Sequence, residues 1–114
     1  MCNNCMILEE LFMVARKEPH LHLIPVYQKL VEMIKQNQLG VYAGDCRFED
    51  ALDVLASEKH FTVCFYLQCE SCGEIFFLGA CIRGVPKYRK VDDIKNEKIE
   101  HLLWGREGSY FKKG

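Results

Sequence analysis

Apolar residues recur every three or four positions over residues 5–18, at Ile7, Leu8, Leu11, Phe12, Val14 and Ala15. Glu9, Glu10, Arg16 and Lys17 fall between them. This period predicts an amphipathic helix. Pro19 predicts its end, because the residue before a proline avoids the helical region. A second stripe, Ile24, Tyr27, Leu30, Val31 and Ile34, predicts a helix near 24–38, with Pro25 in its first turn and Gly40 at its exit. Phe48, Ala51, Leu52 and Leu55 share one face of a third helix near 47–58. Asp45 is placed to cap that helix, and Glu49 and Asp50 suit its positive end.

The pattern then changes period. Residues 61–69 are rich in aromatic and β-branched side chains, and Phe61, Val63, Phe65 and Leu67 alternate onto one face. Glu70-Ser71-Cys72-Gly73 reads as a turn into a second strand, 74–83, apolar on both faces and so expected inside the sheet. Val41 to Gly44 fits a short strand or a loop, and Tyr88 to Val91 a further strand. Asp92 is expected to cap a last helix over 93–103, with Tyr110 and Phe111 of the tail packing on the body. Helices segregated from an antiparallel hairpin predict one α+β domain spanning 1–114, with helices on one face of a small sheet.

Composition narrows the class. The 114 residues are 49% hydrophobic with net charge -1, unlike a disordered chain or a dedicated nucleic-acid binder. No apolar run reaches the roughly 20 residues of a membrane-spanning helix. The opening residues lack a signal peptide's basic region, apolar core and small-residue cleavage site. A cytoplasmic location follows as the expectation, and there structural disulfides are rare. The seven cysteines are then thiols, metal ligands or small buried hydrophobes.

Cys69-Glu70-Ser71-Cys72-Gly73 is the sharpest motif. Two thiolates two residues apart at a turn, followed by glycine, form half of a tetrahedral zinc site. Cys2-Asn3-Asn4-Cys5 has the same spacing and can supply the other half if the N-terminus folds back onto the hairpin. The plain alternative is four reduced thiols. Cys64 and Cys81 lie several residues from the turn, at about 3.3 Å per strand residue, and Cys46 has no spaced partner; these three read as packing residues. A redox role for Cys69 and Cys72 is disfavoured, because no helix N-terminus stabilises the thiolate. His60 and Cys81 can approach across the hairpin, but nothing around either marks a catalytic pair. His20 and His22 read as solvated rather than metal-binding. No phosphate loop, nucleophile elbow or zinc-protease helix motif is present, so no enzyme is expected.

Charge is unevenly spread. Asp45, Glu49, Asp50, Asp53 and Glu58 face only Arg47 within one stretch, whereas Arg83, Lys87, Arg89 and Lys90 cluster around Tyr88. Two opposite patches on a near-neutral domain fit protein recognition better than nucleic-acid binding. The acidic helix, the stretch from Tyr66 to Gly79 (YLQCESCGEIFFLG) and the closing Leu103-Trp104-Gly105-Arg106-Glu107-Gly108-Ser109-Tyr110 also carry a resemblance. The chain resembles the small cytoplasmic immunity proteins of bacterial polymorphic-toxin and contact-dependent growth-inhibition systems. That resemblance implies a non-catalytic inhibitor that masks the active site or substrate surface of a cognate toxin domain, often a nuclease. Asp45, Glu49, Asp50 and Asp53 are the candidates for charge complementarity, and Tyr42 and Phe48 for aromatic anchors, although Phe48 lies on the predicted core stripe and reads more strongly as a core residue. The second expectation is a zinc-binding adaptor contacting nucleic acid or a transcription complex through residues 83–90.

Overall fold

The computed structural model describes residues 2–82 and 84–112. Arg83, the end of the expected second strand and of the basic cluster, lies outside the described residues. Helix α1 spans Asn3–Lys17 and α2 spans Pro19–Lys35. Strand β1 covers Leu39–Gly44. A 3-10 turn at Phe48–Asp50 leads into α3, Ala51–Ser57. Strands β2 (Thr62–Cys69), β3 (Ile75–Cys81) and β4 (Lys87–Val91) follow, then short helix α4, Ile99–Leu102. The strands form an antiparallel meander in the order β1-β2-β3-β4. The expected hairpin is thus the centre of the sheet, in an α+β fold.

Helices α1 to α3 cover one sheet face. Cys5, Leu8, Phe12 and Ala15 recur at helical spacing and are buried there, together with Val26, Tyr27, Leu30 and Met33 of α2. They pack on Val63, Phe65, Leu67, Phe76 and Leu78 of the sheet. Phe12 fixes the height of α1, with its ring 5.9 Å from that of Phe76 and 5.5 Å from that of Tyr88. The opposite face is covered too. Cys64, Tyr66, Ile75, Phe77 and Val91 pack under Ile99 and Leu103 of the C-terminal segment. The expectation of helices on one face only is therefore corrected, and the two-sided burial explains why β3 is apolar on both sides.

Several boundaries differ for physical reasons. Pro19 opens α2 as well as closing α1, because a proline at the first helical position lacks only a donor that has no partner there. Pro25 consequently lies inside the helix. Asn37, at φ 60°, turns the chain out of α2, so Gly40 becomes a strand residue. Phe61 is exposed before β2 rather than on its inner face. The expected 93–103 helix is broken into a 3-10 turn at Ile94–Asn96 and α4. Asp93, not Asp92, caps the turn, accepting from the Lys95 N–H at 3.1 Å. Glu97 sits extended between the two pieces, where it accepts from Tyr66 Oη at 3.0 Å and pairs with Arg89 at 2.5 Å.

Candidate metal centre

The start of α1 lies against the β2–β3 turn. Cys2 precedes the first helical residue and Cys5 follows one turn later, so both sulfurs point off the same helix end. At the turn, Gly73 adopts φ 84°, a conformation that costs a residue without Cβ little. This lets Cys72 curl back beside Cys69, with the Gly73 N–H donating to the Cys69 carbonyl at 2.9 Å. The four sulfurs of Cys2, Cys5, Cys69 and Cys72 all lie within 4.8 Å of one another. Cys5 and Cys72 are 3.2 Å apart, Cys2 and Cys5 3.4 Å, and Cys2 stands 3.5 Å from both Cys69 and Cys72.

These four separations, 3.2–3.5 Å, are a few tenths of an ångström under those around a tetrahedral ion. Metal–sulfur bonds of about 2.3 Å place the sulfurs of a four-cysteine site about 3.8 Å apart. The geometry is therefore compatible with a structural metal. The surroundings favour negative sulfur at Cys2 but not at Cys5 or Cys72. The Cys5 amide donates to Cys2, and this is the main influence pulling the Cys2 thiol down to about 6. The Glu74 amide donates to Cys72, but burial and the thiols of Cys2 and Cys69 still leave that thiol above its ordinary value. Burial pushes the Cys5 thiol up, so a full set of thiolates there needs a cation to compensate its charge.

Residues between the cysteines brace the same contact. Asn4 Nδ2 donates to Ser71 Oγ at 3.2 Å, joining the middle of one Cys-x-x-Cys to the middle of the other. Lys90 lies 3.7 Å from Glu9 and 3.8 Å from Glu74, tying α1 to the hairpin. Neither contact is visible in the sequence, although the polar residues inside both motifs are the available hint.

The remaining candidates are dispersed. Asp45 neither caps α3 nor reaches the surface, since it is 3% exposed. Its Oδ2 accepts from the Cys64 N–H at 2.8 Å, and its Oδ1 from the N–H groups of Trp104 at 2.7 Å and Gly105 at 3.0 Å. Burial raises its pKa although the three amides oppose the shift. Asp45 is thus corrected from a partner-binding residue to a latch that holds the C-terminal segment on the sheet. Glu49 and Asp53 are exposed, Asp50 is half-buried, and Glu49 forms an ion pair with Arg47. Tyr42 is half-buried, its ring 5.6 Å from Tyr110. Phe48 is a core residue, stacked 4.9 Å from Tyr27.

The basic segment is largely engaged within the fold. Arg89 pairs with Glu97 and sits 4.7 Å over the Phe77 ring, Lys90 bridges two acids, and Tyr88 is buried with its hydroxyl donating to the Pro19 carbonyl at 2.8 Å. Lys87 is exposed. His20 and His22 fall on the first turn of α2, where residues two apart point in different directions. His60 stacks on Trp104 with centroids 3.7 Å apart. Burial raises the thiols of Cys46, to about 11, and of Cys64, to about 12. Such thiols stay protonated and suit the packing role expected of both. Among the described residues, no helix is long and apolar enough to cross a membrane. Comparison of the chain with protein families, curated proteins and solved structures finds no match.

Proposed function

We propose that this chain is a zinc-fastened binding domain that acts through its surface, and that its partner is a toxin domain encoded beside it. One observation carries the zinc reading: four thiols from segments 67 residues apart converge within 4.8 Å of one another. Zinc favours four thiolates in this geometry and, when fully coordinated by protein, leaves no open position for chemistry. The ion then acts as a structural clip. The partner reading rests on the resemblance to immunity proteins. Asp53 on α3, with Glu49 and Asp50 in the turn before it, supplies its acidic face, which steers a basic partner into contact.

Co-expression with the neighbouring toxin domain tests the partner. The expected result is recovery of a complex, protection of the host cell, and loss of affinity on Glu49→Lys with Asp53→Lys. No complex and no protection would overturn it. The zinc reading stands or falls separately, by metal analysis of the purified chain.

A further inference from the structure

The four clustered cysteines differ in their access to solvent. Cys5 and Cys69 are buried, at 0% and 2% exposed, whereas Cys72 is exposed and Cys2 half-buried. Of the sulfur contacts, the one between Cys2 and Cys72, at 3.5 Å, faces solvent, and the others are partly buried. Every other pairing in the cluster includes Cys5 or Cys69. A disulfide bond measures about 2.05 Å, so closing this pair from 3.5 Å takes a movement of about 1.5 Å. Cys2 is placed to supply it. As the N-cap of α1 it has an extended backbone, at φ -75° and ψ 164°, outside the regular helix. Cys5 is held inside that helix, packed among core side chains. The Asn4–Ser71 hydrogen bond, at 3.2 Å, keeps the two segments in register. Cys69 and Cys72 by themselves lack the helix N-terminus that reactive thiols use, and the fold brings one to them, since α1 begins at Asn3 beside Cys2.

We propose that hydrogen peroxide converts Cys2 and Cys72 into a reversible disulfide, which fastens α1 to the β2–β3 turn. One thiol, as its anion, attacks a peroxide oxygen. The O–O bond breaks, leaving a sulfenic acid and hydroxide. The second sulfur then attacks the first, the S–O bond breaks, and the oxygen departs as water. In sum, two thiols and one hydrogen peroxide give one disulfide and two waters. Each sulfur loses one electron and the peroxide gains both. A thiol reductant such as glutathione reverses the bond by exchange. The bond joins residues 70 apart, so it holds the same two segments that a metal in the cluster would hold. Where a metal is bound, the bond removes two of its four ligands; the other two take up protons and the ion is released. Metal and disulfide are then alternative fasteners of one joint, and α1 stays attached when an oxidant displaces the metal. The inference rests on the placement of the sulfurs and not on the zinc reading, since the bond forms in the metal-free chain as well.

The full chain, freed of reductant and treated with a slight excess of hydrogen peroxide in the presence of a metal chelator, tests it. Differential alkylation with mass spectrometry should find Cys2 and Cys72 joined within one chain and shielded from alkylation until dithiothreitol is added, with the other five thiols free. In chelator, the oxidised chain should melt about 15 °C above the reduced one, because the bond closes a loop about as long as the clip does. Cys2→Ser and Cys72→Ser should each lose both the bond and the gain, and Cys46→Ser should lose neither. Circular dichroism confirms that each variant folds. Retention of all seven thiols overturns the proposal. So does a bond confined within either Cys-x-x-Cys motif, a bond between chains, or a Cys2–Cys72 bond that leaves the melting temperature unchanged. Metal analysis decides the zinc reading separately, so either can fail alone.

Discussion

Removing the clip should cost a large share of the stability. Cys2 and Cys69 are 67 residues apart, and a cross-link closing a loop of about that length removes about 4 kcal/mol of conformational entropy from the unfolded chain. Domains are stable by only about 5–15 kcal/mol. At about 4 °C per kcal/mol for a chain of this size, the melting temperature should fall by about 15 °C. The assay is thermal unfolding followed by circular dichroism under reducing conditions, with zinc or with a tight zinc chelator. Cys69→Ser should reproduce the chelator's effect and abolish its further action. Cys46→Ser, outside the cluster, should leave the response to chelator intact. An unchanged melting temperature on chelation, together with well under one zinc per chain in metal analysis, would refute the clip. Spectral change should centre on α1, since Asp45 latches the C-terminal segment from the other side of the sheet without any thiol.

Two further predictions concern that opposite side. Asp45→Asn keeps an oxygen for the Trp104 and Gly105 amides but turns an NH2 group towards the Cys64 N–H, so two donors face each other. The expected loss is about 1–3 kcal/mol in urea unfolding, with faster proteolysis after residue 92; an unchanged midpoint would remove the latch. The Arg89 guanidinium, helped by the Tyr66 hydroxyl, holds the Glu97 carboxyl below its ordinary value despite some burial. A lowered folded value means that its contribution is full above the ordinary glutamate range and is lost as pH falls through the folded value. Glu97→Gln should therefore flatten the acid limb of the stability curve, and two parallel curves would show that the pair contributes nothing.

What the sequence disclosed follows the range of each interaction. The helices of the first half and the central hairpin were legible because hydrophobic period is a local signal, although Ile7 and Val14 of the α1 stripe and Phe61 before β2 end up exposed. The Cys69–Cys72 half of the cysteine cluster was legible for the same reason, since a tight turn and its glycine place both sulfurs within five residues. Its joining to Cys2 and Cys5 was readable only as a matched spacing. The structural cause lies elsewhere, in the Phe12 ring seated between Phe76 and Tyr88, which lays α1 across the hairpin and brings its first turn to the right height.

Asp45 and Glu97 depart from their local signals because each serves residues distant in the chain. Asp45 precedes a helical stripe, as a cap does, yet its donors lie 19, 59 and 60 residues away. Glu97 has helix-forming neighbours, yet leaves helical conformation to reach Tyr66, 31 residues back in the chain. In both cases a buried or half-buried carboxylate meets donors that would otherwise lose water without compensation, and that demand outweighs a propensity worth well under 1 kcal/mol. The same hierarchy governs the thiols. At Cys64 burial outweighs the Thr62 hydroxyl and Lys87, which favour the ionised form, so it stays a packing residue, whereas the four clustered cysteines meet two backbone donors and one another. Spacing alone proposes a metal centre; the convergence of separate segments on one small volume is the observation that supports that proposal over incidental cysteine pairs.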